Sequence, residues 1–430
     1  MRFFTAFFIG CAALCGMVRA QSDYVAAEPL HAAGLMKFWQ LQLPLQPGEA
    51  VADLYRVDDF IYATTSTGHV FAIHANTGVI RWLQQVTTGG YHITAPVHAK
   101  GRAIFVVPSM IVQFDMLTGD PVRRINLRFP AASPPISNGK RIWFGGIDRR
   151  IYCFDPDNDY EEWKAATDSP VTARPALFGK HLICASSGGV IYTCVAANKR
   201  IVRSARSGDP ISADLTVGPQ GVFIASEDQS LYLLSPQFGT KIWRTRLSSP
   251  LQEPPVVTSD MAYQYSPDDG VVAIDARVDY VADRIVWKLP QGRLALTADD
   301  KYAYVQSAGG NLLVVDKLHG EVAFTVPTDG LDRGVPAPLD QSVFLAASDG
   351  RLFCARPIGA PALKAEALAD AFYGDRPAAP PSSQPAPPAA TQPADTRRET
   401  AAPTAPPIGG TSKVSKGQSP GTPPPPEKNP

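Results

Sequence analysis

The sequence lacks the short patterns on which most catalytic sites are built. It has no HExxH, no GxSxG elbow and no Walker-type glycine loop, so zinc hydrolysis, serine acyl transfer and P-loop nucleotide chemistry find no support. No CxxC, CxxCH or adjacent cysteine pair occurs, which removes the sequence basis for structural zinc, c-type haem and a vicinal disulfide. The seven histidines are scattered. His92 and His98 alone stand at an even separation about an expected innermost strand, which alternation would place on one face. Charge of one sign is also missing: 40 Lys and Arg balance 40 Asp and Glu, and no basic stripe stands out along the chain. A nucleic-acid partner, which needs clustered cations to replace phosphate counterions, is not expected. Past the N-terminus there is no apolar run of the ~20 residues that a membrane span requires.

What is present divides the chain unevenly. Residues 1–20 read as a secretory signal: Arg2, an apolar run from Phe3 to Val18, then Val18-Arg19-Ala20 with small residues at −3 and −1. Gly10-Cys11 offers a lipobox-like alternative, a lipid anchor at Cys11, although Phe8 fits its first position poorly. Residues 21–35 form a lead-in. At the other end, residues 359–374 are rich in Ala and Leu and read as a short helix. Residues 375–430 are mostly Pro, Ala, Thr and Ser, a composition that cannot bury enough apolar surface to offset its ordering entropy. The four cysteines beyond the signal, Cys153, Cys184, Cys194 and Cys354, each sit in an apolar run. They read as small buried hydrophobes, with a Cys184–Cys194 bridge as the alternative in an oxidising compartment.

The body between these ends is a repeat. Ile61-Tyr62-Ala63 leads through Gly68 and Val70-Phe71-Ala72-Ile73 to Thr77-Gly78 and Trp82. The same phrase returns at Ile151-Tyr152 with Trp163, at Leu231-Tyr232 with Gly239 and Trp243, and at Val271-Val272 with Trp287. The period is about 40 residues, and each period parses into four short strands separated by turn residues. Second strands begin near Ile61, Ala103, Ile142, Leu182, Val222, Ala262, Ala303 and Val343. This predicts an all-β, eight-bladed propeller of four-stranded antiparallel blades over residues 36–358, with seven blades as the alternative if one degenerate period is misread. The last period has three strands, and Lys37–Leu43, carrying Trp39, supplies the fourth. A strand from the N-terminus completing the last blade would close the ring and remove its open edges.

The run from Tyr62 to Trp82 resembles the PQQ-like, quinoprotein-type repeat, and the resemblance covers about three quarters of the chain. That family includes quinone-dependent alcohol dehydrogenases and non-enzymatic propellers of the BamB type that assist outer-membrane β-barrel assembly. Fold alone does not choose between them. The resemblance implies that Trp39, Trp82, Trp163, Trp243 and Trp287 dock each blade on its neighbour. It also implies looser contacts for the second, fourth and seventh blades, where the indole is missing and Phe324 stands in for the seventh. A quinoprotein would hold PQQ and calcium in the central funnel beside a carboxylate base. The channel candidates are Asp53, Arg174, Asp214, Arg293 and Arg333, readable as solvated rim residues or as an anion-binding funnel. The acidic run Asp155–Glu162 could chelate Ca²⁺ or form a solvated turn, and it lacks the EF-hand spacing.

The expectation is an exported propeller of the periplasm or envelope, with envelope proteins as partners and no cofactor. Its binding loops would be Thr87–Tyr91 and Thr328–Arg333. A PQQ-dependent dehydrogenase and a small-ligand-binding propeller are the alternatives.

Overall fold

A computed structural model describes residues 23–361 apart from positions 89, 280, 339 and 340. The signal, the Cys11 anchor, nearly all of the 359–374 helix and the 375–430 tail lie outside the described residues. Eight four-stranded antiparallel sheets follow one another along the chain. Blades one to seven occupy residues 51–85, 97–126, 136–166, 176–206, 216–246, 256–289 and 292–326. The eighth combines residues 333–357 with the first strand, Leu35–Gln42, which pairs antiparallel with Arg351–Pro357. The fold is therefore the closed eight-bladed propeller that the repeat and the spare N-terminal strand predict. The innermost strand of blade two is shorter than the sequence suggests, Val97–Ala99 rather than 93–98.

The hydrophobic core is not one mass but eight. Each apolar cluster joins a blade to the next, such as Tyr62, Trp82 and Phe105 between blades one and two, or Trp39, Ile73 and Phe344 between blades eight and one. The middle strands therefore read as continuous apolar runs, because both of their faces are covered: Phe60–Thr65 and Gly221–Ser226 are buried throughout.

The outermost strands alone carry a device that recurs in every blade. One residue bulges out of the ladder immediately before the docking position: Phe38, Arg81, Val122, Glu162, Val202, Ile242, Val286 and Ala323. A bulge bends the strand and re-aims the next side chain, here onto the neighbouring blade. Trp39 donates its indole N–H to Ala75 O at 2.9 Å, Trp82 to Met116 O at 2.9 Å, Trp243 to Arg277 O at 3.1 Å and Trp287 to Lys317 O at 2.9 Å. Each acceptor lies in the turn before the next blade's outermost strand. Blades two and four have Arg123 and Arg203 at this position, and their guanidinium groups donate to the equivalent carbonyls, Asp157 O and Phe238 O. These contacts are thus made by another donor rather than loosened. Trp163 differs, since its buried indole nitrogen has no acceptor. The turn facing it, at Ala197-Asn198-Lys199, holds no glycine. At the seventh seam Phe324 packs with Tyr24 and Leu30 of the N-terminal lead-in, whose helix Ala27–Ala32 lies against blade seven's outer strand.

The link from the closing strand into blade one is tied by a single carboxylate. Glu49 accepts hydrogen bonds from the Thr65 and Thr67 hydroxyls and the Gln46 amide, and its Oε1 lies 2.9 Å from His69 Nδ1. Burial pushes its carboxyl up, but these partners outweigh that and hold it at about 2.

Two outcomes test these packing arguments. Gly119 and Gly139 both have positive φ, +77° and +82°, but a Cβ on Gly119 would meet the Trp82 ring at 2.5 Å while one on Gly139 meets nothing within 4 Å. Gly139→Ala should cost about 1–2 kcal/mol from backbone strain alone, and Gly119→Ala clearly more, read as denaturation midpoints. Equal losses would show that the indole yields without cost. Because Glu49 is depressed in the folded state, its contribution is complete above the unfolded value near 4.5 and is lost as pH falls toward 2. The gap in melting temperature between the wild type and Glu49→Gln should therefore be widest near neutrality and close between about pH 4.5 and 2.

Candidate functional site

The innermost strands, and the segments that lead into them, line the central channel with pairs of opposite charge. Asp53, on the innermost strand of blade one, sits 3.2 Å from His92 Nε2. Tyr55, two residues on, donates to Ile93 O at 3.0 Å. Its phenol is pushed up by burial and then by Asp53, opposed by Arg174 and reinforced by Asp214.

Arg174 and Asp214 lie not on innermost strands but in the segments just before Ala176–Phe178 and Thr216–Gly218. The Arg174 amide donates to Asp214 Oδ1 at 2.7 Å, and its guanidinium stands 3.6 Å from Oδ2. Arg293, on Gly292–Ala298, forms a fork with Glu253 at 2.6 and 2.7 Å and lies 4.3 Å above the Tyr265 ring. Arg333 crosses from blade eight to the carbonyl of Ala52 in blade one. The structure thus brings Asp53, Arg174 and Asp214 into one field while Arg293 and Arg333 are spent on other partners. Glu253 and Tyr55 were not singled out from the sequence. A signal for Glu253 was available: Arg293–Glu253 and Arg174–Asp214 are each 40 residues apart, one repeat period.

His92 and His98 separate. His92 is exposed at the channel, whereas His98 is tucked between Asp58 and Tyr62, at 2.7 Å from each. Burial pulls its imidazole below the ordinary value, with Asp58 opposing. Among the described residues no group of three or more His, Cys, Asp or Glu is arranged to hold a metal. Cys153, Cys184, Cys194 and Cys354 are all buried in the seams. Cys184 stands opposite Tyr192 and Cys194 opposite Leu182. Burial pushes the Cys153 thiol up to about 12, so it is a packing residue and not a nucleophile.

Two surface features complete the picture. Thr87, Thr88 and Tyr91 line a cavity of about 530 Å³ with Pro108, Met110 and Arg124, and Tyr91 is 61% exposed. This loop and Thr328–Arg333 both connect an outermost strand to the next innermost one, so they open on the same end of the ring. The acidic run, in contrast, is a clamp. Lys100 pairs with Asp155 and Asp157, Arg102 with Asp157 at 2.8 Å, Arg123 with Asp159 at 3.5 Å, and Arg141 with Glu162 at 2.5 Å. Hydrogen bonding from Lys100 holds the Asp157 carboxyl below its ordinary value. With its charge met by cations of blades two and three, this turn has no deficit for calcium to fill. Calcium at about 5 mM should leave the melting temperature unchanged, and a saturable rise of several degrees would make the turn a metal site.

With this geometry in hand, comparison with known proteins adds three findings. Residues 193–281, which span the end of blade four, blade five and most of blade six, match the family model described as outer membrane protein assembly factor BamB. No curated protein matches the sequence. Among solved structures, BamB from Moraxella catarrhalis superposes with a TM-score of 0.61 at 17% identity, covering 76% of this chain and 99% of that one. The computationally designed Ika8 protein superposes with a TM-score of 0.57 at 13% identity, covering 73% and 98%. At these identities the superpositions speak for the fold, and the matched repeats speak for the family: the chain is an eight-bladed propeller of the PQQ-like repeat type, similar to BamB.

Proposed function

We propose that the chain is a non-catalytic protein-interaction scaffold of the periplasm or cell envelope, working in outer-membrane protein assembly. The observation that carries this reading is the assembly-factor match over residues 193–281, which falls on consecutive repeats inside the ring. Three features support it. The middle strands are buried on both faces and the ring is closed, which gives a rigid frame for the loops at one end. The apolar N-terminus with its small-residue junction at Ala20 fits export. The Pro-rich residues 375–430 suit a spacer. No helix among the described residues is long and apolar enough to cross a membrane.

The residues at the channel do not fit a calcium-bound quinone. Asp53, Asp214 and Glu253 each already face a histidine or arginine of the chain, so a cation would have to displace an internal partner. Cys153, Cys184 and Cys194 lie in the seam of blades three and four and Cys354 in that of blades eight and one, none of them on an innermost strand at the channel.

Two measurements test the proposal, the first on the full chain in the cell and the second on the purified chain from Gln21 onward. Site-specific photo-crosslinking from Tyr91 and Asp329 in the producing cell should yield adducts with envelope proteins of the outer-membrane assembly apparatus. Titration with PQQ and Ca²⁺ should give no stoichiometric complex. A calcium-dependent complex together with absent adducts would overturn the scaffold reading in favour of the dehydrogenase one.

A further inference from the structure

Net neutrality hides a local imbalance on the rim of blades four and five. Their outermost strands are Ile201–Arg206 and Thr240–Arg246, and these, with Lys199-Arg200 just before the first, carry seven lysines and arginines and no carboxylate. All seven cations are exposed: Lys199, Arg200, Arg203, Arg206, Lys241, Arg244 and Arg246. The contrast with the rest of the molecule lies in how they are used. Lys100, Arg102 and Arg141 are matched to acids, and so is Lys288 of blade six, to Asp269. Among the described residues, the carboxylate that comes within ion-pair distance of the strip is the buried Asp228, 4.0 Å from Arg244. The others that make a contact meet neutral acceptors: Arg203 the Phe238 carbonyl, Lys241 the Arg206 carbonyl, Arg246 the Gln229 amide. Lys241 sits 4.3 Å over the Tyr232 ring, and its ammonium is pulled below the ordinary value by burial, with Arg244 adding repulsion against the pull of Asp228.

Apolar side chains are set among these charges. Ile201, Val202, Phe238 and Ile242 are 47, 46, 61 and 37% exposed. Val202 and Ile242 are the bulge residues of their strands. Blade four's outermost strand has no buried side chain at all. Beside Ile242 a groove of about 480 Å³ runs to blade six, lined by Arg244, Arg246, Val278 and Arg284.

We propose that this rim of blades four and five is a docking strip for an anionic lipid bilayer surface. Exposed apolar tips interleaved with lysine and arginine are what an interface of acyl chains and anionic headgroups recognises, the cations adding attraction at the surface and the long stems reaching the headgroups. An acidic protein strand is the competing occupant, and the bulges oppose it. Adding a strand needs a regular row of free N–H and C=O groups and pockets for alternate side chains. The bulge at Val202 breaks the row, and the strand's side chains stand out instead of framing recesses. The inference deepens the envelope reading, since it supplies a surface that only an envelope or membrane setting would use, but it does not depend on the identity of the protein partner.

The test is vesicle co-sedimentation of the chain beginning at Gln21, which omits the apolar leader. Vesicles of phosphatidylcholine with about one third phosphatidylglycerol should bind it, pure phosphatidylcholine should not, and raising NaCl from about 50 to 300 mM should weaken binding strongly. The triple variant Lys199→Gln/Arg200→Gln/Arg206→Gln should lose about tenfold or more in affinity. Removing three exposed cations elsewhere, Arg128→Gln/Lys140→Gln/Lys180→Gln, should change it less than about twofold. Unchanged melting temperatures for both variants show that the ring is intact. Equal binding to neutral vesicles, equal losses in the two variants, or displacement by a stoichiometric soluble acidic peptide would each overturn the proposal. The crosslinks that test the scaffold reading would stand or fall separately.

Discussion

A polar hydrogen carried by the outermost strand of a blade, and given to a turn carbonyl of the next, sets the geometry on which the ring depends. The donor is an indole in four blades and a guanidinium in two, with donor and acceptor 30 to 36 residues apart. For the donor to reach sideways out of its own sheet, the strand must bulge just before it, and in every blade it does. Gly78, Gly119 and Gly320 leave room for the rings of Trp39, Trp82 and Trp287, whereas Trp243 reaches Arg277 O over a turn without glycine and is met by the Arg284 guanidinium. Burying the ring contributes several kcal/mol of apolar stabilisation, while the hydrogen bond fixes the angle at which blades meet. The same bulge spoils the exposed edge as a template for further strands, so one local feature both joins neighbours and discourages strangers.

The fold was legible because the repeat has a strong signature in its middle strands. Those strands are covered on both faces, so their apolar runs survive in all eight periods, with glycine turns in most of them, and the unpaired strand around Trp39 could be matched to a blade lacking one. The docking position was less legible, because its chemistry is a directed N–H rather than an indole as such. Arg123 and Arg203 look like ordinary surface residues until their carbonyl partners are placed. Channel residues were legible only in part. Asp53 and Arg293 stand on innermost strands as alternation suggests, but Arg174 and Asp214 lie ahead of theirs, and Glu253 becomes visible only when charges are compared one period apart. His98–Asp58 and Arg174–Asp214 share that 40-residue offset.

The same comparison explains the electrostatics of the whole ring. Blades two and three exchange charge through Lys100, Arg102 and the acidic turn, and blades six and seven through Lys317 and Asp260, 2.9 Å apart. Where such exchange occurs, local charge cancels and the surface is inert. No basic stripe appears along the sequence because the rim of blades four and five is assembled from two stretches a full period apart, each short by itself. Summed over the chain their charge vanishes into a neutral total, yet in three dimensions it is concentrated on adjacent edges.

The closing pair has a consequence for the order in which the molecule can be made. Gln42 meets Asp349 across 307 residues of chain, so a strand made early waits for a partner made after the other seven blades. Until then blades can form and stack in sequence, each using its predecessor as a template, but the assembly is an open arc with two unsatisfied ends. The early strand must stay extended and unclaimed throughout, and the lead-in that packs at the seventh seam, Tyr24 to Leu30, waits with it. A propeller built this way behaves as a clasp rather than a zipper: with seven blades complete it is still open, and the pairing of Leu35–Gln42 with Arg351–Pro357 decides whether there is a ring at all.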